Sequence, residues 1–303
     1  MSPNLKGALF MMASMAGFTL NDACVKLLAE DLPLFQIVFL RGVATTAMMA
    51  AMVWAMGGLS FHIPRGDRGR VIWRTIAEIG AMVAFLTALI NMPIANVTAI
   101  LSALPLTVTL AAYVFLGEPV GWKRLLAILA GFGGVLLIVQ PGGDGFSLYA
   151  LAALLAVALV TARDLITRRL SRDVPSMGVA VITAAAVGLF GGVMSMGEPW
   201  RPVDLEAGIL VLAASTVIIA AYLFSIMVMR VGEIGFVAPF RYTSLVWALF
   251  LGWLVFDEWP DNLTLLGSAI VVATGLFTLW REQVAAKRAL RVAQPAKPAP
   301  GRC

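Results

Sequence analysis

Ten apolar runs fix what this chain can become. They lie at residues 5–29, 33–57, 71–91, 94–116, 121–140, 147–169, 176–197, 206–230, 235–256 and 262–280, separated by short connectors bearing Pro, Gly or charge. A helix crossing a bilayer uses about 20 apolar residues. Lipid leaves no water to satisfy exposed backbone, so only helices or closed barrels can span it. The alternating ten-residue segments of a barrel are absent. The expected fold class is an all-α polytopic membrane protein with ten transmembrane helices. Composition agrees, with 60% hydrophobic and 13% charged residues, where soluble domains run roughly half and a quarter.

The remaining chemistry is sparse. Cys24 and Cys303 make neither a disulfide framework nor a zinc site, and the lone His62 lies in a basic loop. No cofactor or metal is expected. The net charge of +5 reads as loop orientation rather than nucleic-acid binding. The first 29 residues carry Asn21, Asp22 and Lys26 without a convincing cleavage site, so they read as a retained helix.

Ten spans put both termini on one side. If that side is the cytoplasm, cytoplasmic segments hold 16 Lys/Arg, from Lys6, Arg65, Arg68 and Arg70 to Lys287, Arg288, Arg291, Lys297 and Arg302, while the other side keeps only Arg201. The positive-inside bias therefore places both termini in the cytoplasm, in the cytoplasmic (inner) membrane. The stretch 282–303 reads as a basic, disordered tail.

The two halves match. With an offset of 142, Asp22 falls on Asp164, Lys26 on Arg168, Asp31 on Asp173 and Pro33 on Pro175. With an offset of 140, Val97 falls on Val237 and Glu118 on Glu258. A net two-residue deletion reconciles them. Five spans per repeat is odd, so the second half enters from the opposite side and the repeat is inverted, a recurrent plan in secondary transporters. The expected units are 5–141, 147–281 and the tail.

The closing pieces LGEPVGWKRLLAILAGFGGVLLIVQPG and FRYTSLVWALFLGWLVFDEWPDNLTLLGSAIVVATGLFTLW, with a Glu after the fourth and ninth spans and a glycine-bearing helix following, resemble the drug/metabolite transporter superfamily, EamA branch. The resemblance covers nearly residues 5–281. It implies a secondary carrier of small organic metabolites; similar members carry amino acids, riboflavin and S-adenosylmethionine.

Charges inside a membrane are costly and usually face a bundle interior, so each is a site candidate. Asp22 and Lys26 are four apart and can pair; Asp22 and Arg41 share a depth. The readings are an external gate or substrate contact, or a structural ion pair with Lys26 snorkelling. Asp164, with Arg163 and Arg168, is placed by inversion near the inner end, as an internal gate or a snorkelling helix end. Arg74 and Glu78 form another i, i+4 pair, with Glu78 one turn deeper, and Arg241 lies at a comparable depth. A Glu78–Arg241 contact would join the repeats, as carrier of a coupling proton or as a static bridge.

On the fourth span Thr98, Ser102, Pro105 and Thr109 share a helical face, and Pro105 releases the carbonyl of Leu101. Such a face lines a cavity or packs closely. Pro239 stands beside Arg241 and Tyr242 in the ninth span. With the resemblance, this points to a central cavity between the first, third, fourth, sixth, eighth and ninth spans. Trp54, Trp73, Trp122, Trp200, Trp259 and Trp280 read as an interfacial belt; Trp247 lies deeper, for core packing or stacking on a flat ligand.

The leading function is transport of a small-molecule substrate by alternating access. Coupling ion and oligomeric state stay open. The alternative is a membrane-embedded enzyme or a non-transporting receptor. Against an enzyme, a His/Cys metal set, GxSxG and HExxH are absent; against ATP-driven transport, a Walker motif is absent.

Overall fold

The computed structural model describes residues 2–55, 62–142, 147–171, 173–231 and 233–293. Gly143, Asp144, Arg172, Lys297, Arg302 and Cys303 lie outside the described residues, and so do the side chains of Lys287, Arg288 and Arg291. Ten helices among the described residues are long and apolar enough to cross a membrane.

In chain order the helices are α1 (Pro3–Asp31), α2 (Leu34–Ala55), α3 (Arg68–Asn91), α4 (Ile94–Leu101), α5 (Leu104–Leu116), α6 (Trp122–Val139), α7 (Leu148–Arg168), α8 (Ser176–Ser195), α9 (Leu205–Val231), α10 (Ile234–Val237), α11 (Thr243–Phe256) and α12 (Asn262–Ala293). Prolines set the tightest turns. A residue before Pro is pushed out of the helical region, and Leu32 (φ −113°) and Met92 (φ −135°) end α1 and α3 just before Pro33 and Pro93. The last helix runs on to Ala293, past residue 281 where the tail was expected to begin. The stretch REQVAAKRALRVA consists largely of strong helix formers, which extends the helix beyond its apolar part.

Packing follows the repeat. The most extensive interfaces are α1 with α9, α3 with α7, α6 with α12 and α2 with α8. Every one takes a helix from each half. The repeat offset turns α1 into α7 and α3 into α9, so the first two interfaces are counterparts, while the other two join a helix to its own mate. Two inverted five-helix repeats therefore interlock rather than sit side by side. Close approach is built in by small residues. A Cβ on Gly42 would stand 2.4 Å from the backbone of Gly188, between α2 and α8. Another on Gly267 would stand 2.5 Å from the Gly134 carbonyl, between α12 and α6.

Two apolar cores draw on both halves. One gathers Val97, Ile100, Ile138, Val157 and Val271; the other gathers Val25, Leu28, Ile37, Leu89, Ile94 and Ala248. The six belt tryptophans are all exposed. Trp247 is 37% exposed and edge-on to Phe250, so it does not fill the core. It sits on α11 beside the exposed Val246, on a face that packing leaves free.

Candidate functional site

The fourth and ninth spans are both broken, at matched places. Helix α4 stops at Leu101 and α5 starts at Leu104; a 3-10 turn over Ala238–Tyr242 precedes α11 at Thr243. The offset of 140 carries Ser102 onto Tyr242 and Ala103 onto Thr243. Pro105 has no N–H to give Leu101, and the break bonds instead by tighter steps such as Ala103 N to Ile100 O, 3.1 Å. The hydroxyls of Thr98, Ser102 and Thr109 donate back to Ile94, Thr98 and Pro105 carbonyls of their own span. Ser102 is buried, while Thr98 and Thr109 are half-buried. Tyr242 is buried too, its ring pressed against Gly275 of α12.

The interior charges of the helices have partners that differ from the expected ones. Glu78, the eleventh residue of the 24 in α3, receives both its bonds from Arg163 of α7, at 2.9 and 3.1 Å. Arg163 also grips its neighbour Asp164 at 2.8 Å. Arg74 does not pair with Glu78; it donates to the hydroxyls of Thr167 and Thr183, at 3.2 and 2.9 Å. Arg241 does not reach Glu78 either. It is exposed on the 3-10 turn and forms no ion pair among the described residues. One turn of helical spacing made Arg74 a neighbour, but the guanidinium that reaches Glu78 comes from the facing helix: its Nη1 meets both carboxylate oxygens, while Nε and Nη2 hold Asp164.

Near the other end of α1, Asp22 accepts from the amide of Asn21 (3.0 Å), and Asn21 accepts from Arg41 (3.3 Å). Asp22 and Arg41 thus share a site through Asn21, as their common depth suggested, and Asp22 does not pair with Lys26. Tyr222 stands between the two groups, within electrostatic range of Glu78, Arg163, Arg41 and Arg74. Its ring meets Phe18 edge-on at 5.2 Å, yet it is 45% exposed in the middle of α9. A crevice of about 340 Å³ opens between α5 and α7, lined by Ala111, Phe115, Thr161, Leu165 and Arg169 among others.

Sequence reasoning missed Asn21, Tyr222 and the two threonines that hold Arg74. Their side chains carry no charge and no motif, so only the fold reveals them.

Lys26 has a different office. Its ammonium donates to Glu258 and to the Met92 carbonyl, both at 2.7 Å, and lies 5.0 Å from the Phe256 ring centre. Glu258 also accepts from the backbone N–H of Ile94, at 3.2 Å. The glutamate is presented by a local device. Asp257 takes a left-handed φ of 51°, and Glu258 N–H closes onto the Gly252 carbonyl at 2.9 Å. Gly117, φ 69°, and Glu118 repeat that cap, with Glu118 N–H 3.3 Å from the Ala112 carbonyl.

A model of the EamA-like transporter family matches residues 5–140 and 147–280. The chain belongs to that family. An S-adenosylmethionine uptake transporter of Rickettsia conorii is 25% identical over 286 residues, 94% of this chain and 96% of that protein. A riboflavin transporter of Rhizobium johnstonii is 28% identical over 250 residues, 82% of this chain and 78% of that protein. A pseudopaline exporter of Pseudomonas aeruginosa is 27% identical over 280 residues, 86% and 92% of the two chains. One crystal structure superposes with a TM-score of 0.61 at 20% identity, over 93% of this chain and 99% of that one, and shares its fold. The EamA-like chain is a membrane-embedded transporter of small molecules.

Proposed function

We propose that this transporter is a secondary carrier of small organic metabolites working by alternating access, in the cytoplasmic membrane with both termini inside. Repeats at 5–141 and 147–281 would rock against each other about the charged interior. The observation that carries the reading is the bond from Arg163 to Glu78, which ties the halves at mid-depth of α3, together with the two repeat-related helix breaks. Broken helices near the midplane are where such carriers hold their cargo. Arg41, Arg74 and Arg163, set against Asp22, Glu78 and Asp164, offer a cargo both signs of charge. Tyr222 offers it an aromatic face.

The test has two stages. Purified protein is screened by thermal shift against S-adenosylmethionine, riboflavin and amino acids, since a ligand of the folded state raises the melting temperature. Compounds that bind are then assayed for saturable counterflow in proteoliposomes. Counterflow is the expected result. A compound that binds tightly but never crosses would make the protein a receptor and overturn the reading. In the same vesicles Glu78→Gln tests proton coupling: retained exchange with loss of pH-driven accumulation supports it, and unchanged accumulation removes Glu78 from that role.

A further inference from the structure

Two ion pairs cross between the halves at opposite ends of the bundle, and they are each other's repeat counterparts. Lys26 of α1 bonds Glu258 at 2.7 Å, and Arg168 of α7 bonds Glu118 at 3.1 Å. The offset of 142 turns Lys26 into Arg168, and the offset of 140 turns Glu118 into Glu258. Each pair therefore joins a cation on the first helix of one half to the glutamate after the fourth span of the other. Both glutamates are aimed by the same left-handed cap.

From this geometry we infer that Lys26–Glu258 and Arg168–Glu118 are the two locks of the transport cycle, one for each mouth, and that the Lys26 lock is the one now closed. The inference rests on the carrier reading above. The difference in closure is structural. Lys26 and Glu258 side chains are 11% and 26% exposed, and they also bind the Met92 carbonyl and Ile94 N–H. That sews α1, the α3–α4 turn and the α11–α12 turn into one plug. Arg168 and Glu118 side chains are 47% and 51% exposed, and Glu118 holds Arg168 alone among the described residues. A desolvated, multiply bonded pair resists opening far more than a hydrated one. The mouth at the Arg168 end, where the chain's first helix also begins, is the one that yields.

Asp22 and Asp164 are less suited to locking. Asp22 bonds within its own half, and Asp164 to its own helix neighbour, so neither spans a mouth.

The experiment uses full-length protein in vesicles, with Cys24→Ala and Cys303→Ala. Tyr222→Cys serves as a central reporter for an impermeant maleimide applied to either side. With both locks intact, labelling comes mainly from the Arg168 side. Glu258→Gln raises labelling from the Lys26 side at least tenfold relative to the other, and Glu118→Gln moves the ratio the opposite way. The exchanged pair Lys26→Glu with Glu258→Lys returns the ratio toward its starting value, which damage to the fold would not do. Equal ratios in all variants, shifts in one common direction, or an exchanged pair that stays open would overturn the assignment. Counterflow is measured in parallel vesicles of protein that keeps Tyr222 and carries no Gln variant. Absent counterflow with opposite labelling shifts would leave the locks standing and sink the carrier reading instead.

Discussion

At the scale of single residues, charge partners are chosen by whatever helix stands opposite, and one tie outside the membrane shows the energetic consequence. Asp67, just before α3, accepts from Ser171 in the α7–α8 turn and from Arg70, and these bonds hold its carboxyl below the usual carboxylate range. A depressed carboxyl contributes stability that is complete above its unfolded value, roughly pH 4. That contribution is lost as pH falls through the lower folded value. Asp67→Asn should therefore lower the melting temperature at neutral pH by a degree or more, with the gap to wild type narrowing as pH falls below the ordinary carboxylate value, about 4; a gap that does not narrow in acid would refute the assignment. The same point limits what could be read in advance. Glu78 was legible as an interior carboxylate, but its partner was not, because Arg163 is 85 residues away and helical spacing reports only same-helix neighbours. Lys26–Glu258 was nearer to hand: the repeat matched each residue to its counterpart, and inversion crosses the two matches into bridges.

At the scale of elements, the spans were legible almost to the residue, since length and hydropathy are properties of a continuous stretch. Pro105 and Pro239 marked the broken spans, and both breaks are present. What periodicity could not give was how the polar face satisfies itself, because a hydroxyl on a helix can bond the carbonyl four residues back. Thr98, Ser102 and Thr109 all do so. The break makes a direct prediction. Pro105→Ala supplies the missing N–H to Leu101 and lets α4 and α5 fuse. Melting temperature should rise or hold while counterflow falls several-fold. Unchanged transport with a continuous helix would mean that the hinge plays no part in turnover.

At the scale of the whole molecule, the Lys/Arg asymmetry predicts orientation. A reporter fused after Cys303 should report the cytoplasm and one inserted at Gly143 the outside; an external C-terminus would reverse which lock faces which compartment. The inverted plan was readable because charged and proline residues recur under a fixed offset, whereas the interlocking of α1 with α9 and α3 with α7 is a tertiary fact with no local signature. The interior charge set has a last consequence. Arg41, Arg74 and Arg163 balance Asp22, Glu78 and Asp164 in formal charge. Each unbalanced elementary charge carried across a membrane potential of 100 mV would exchange about 2.3 kcal/mol with the field. In the proposed rocking cycle these three balanced pairs exchange none, so any voltage dependence in the return of the empty carrier would fall to Arg241, the interior cation outside that balance and without an ion pair among the described residues.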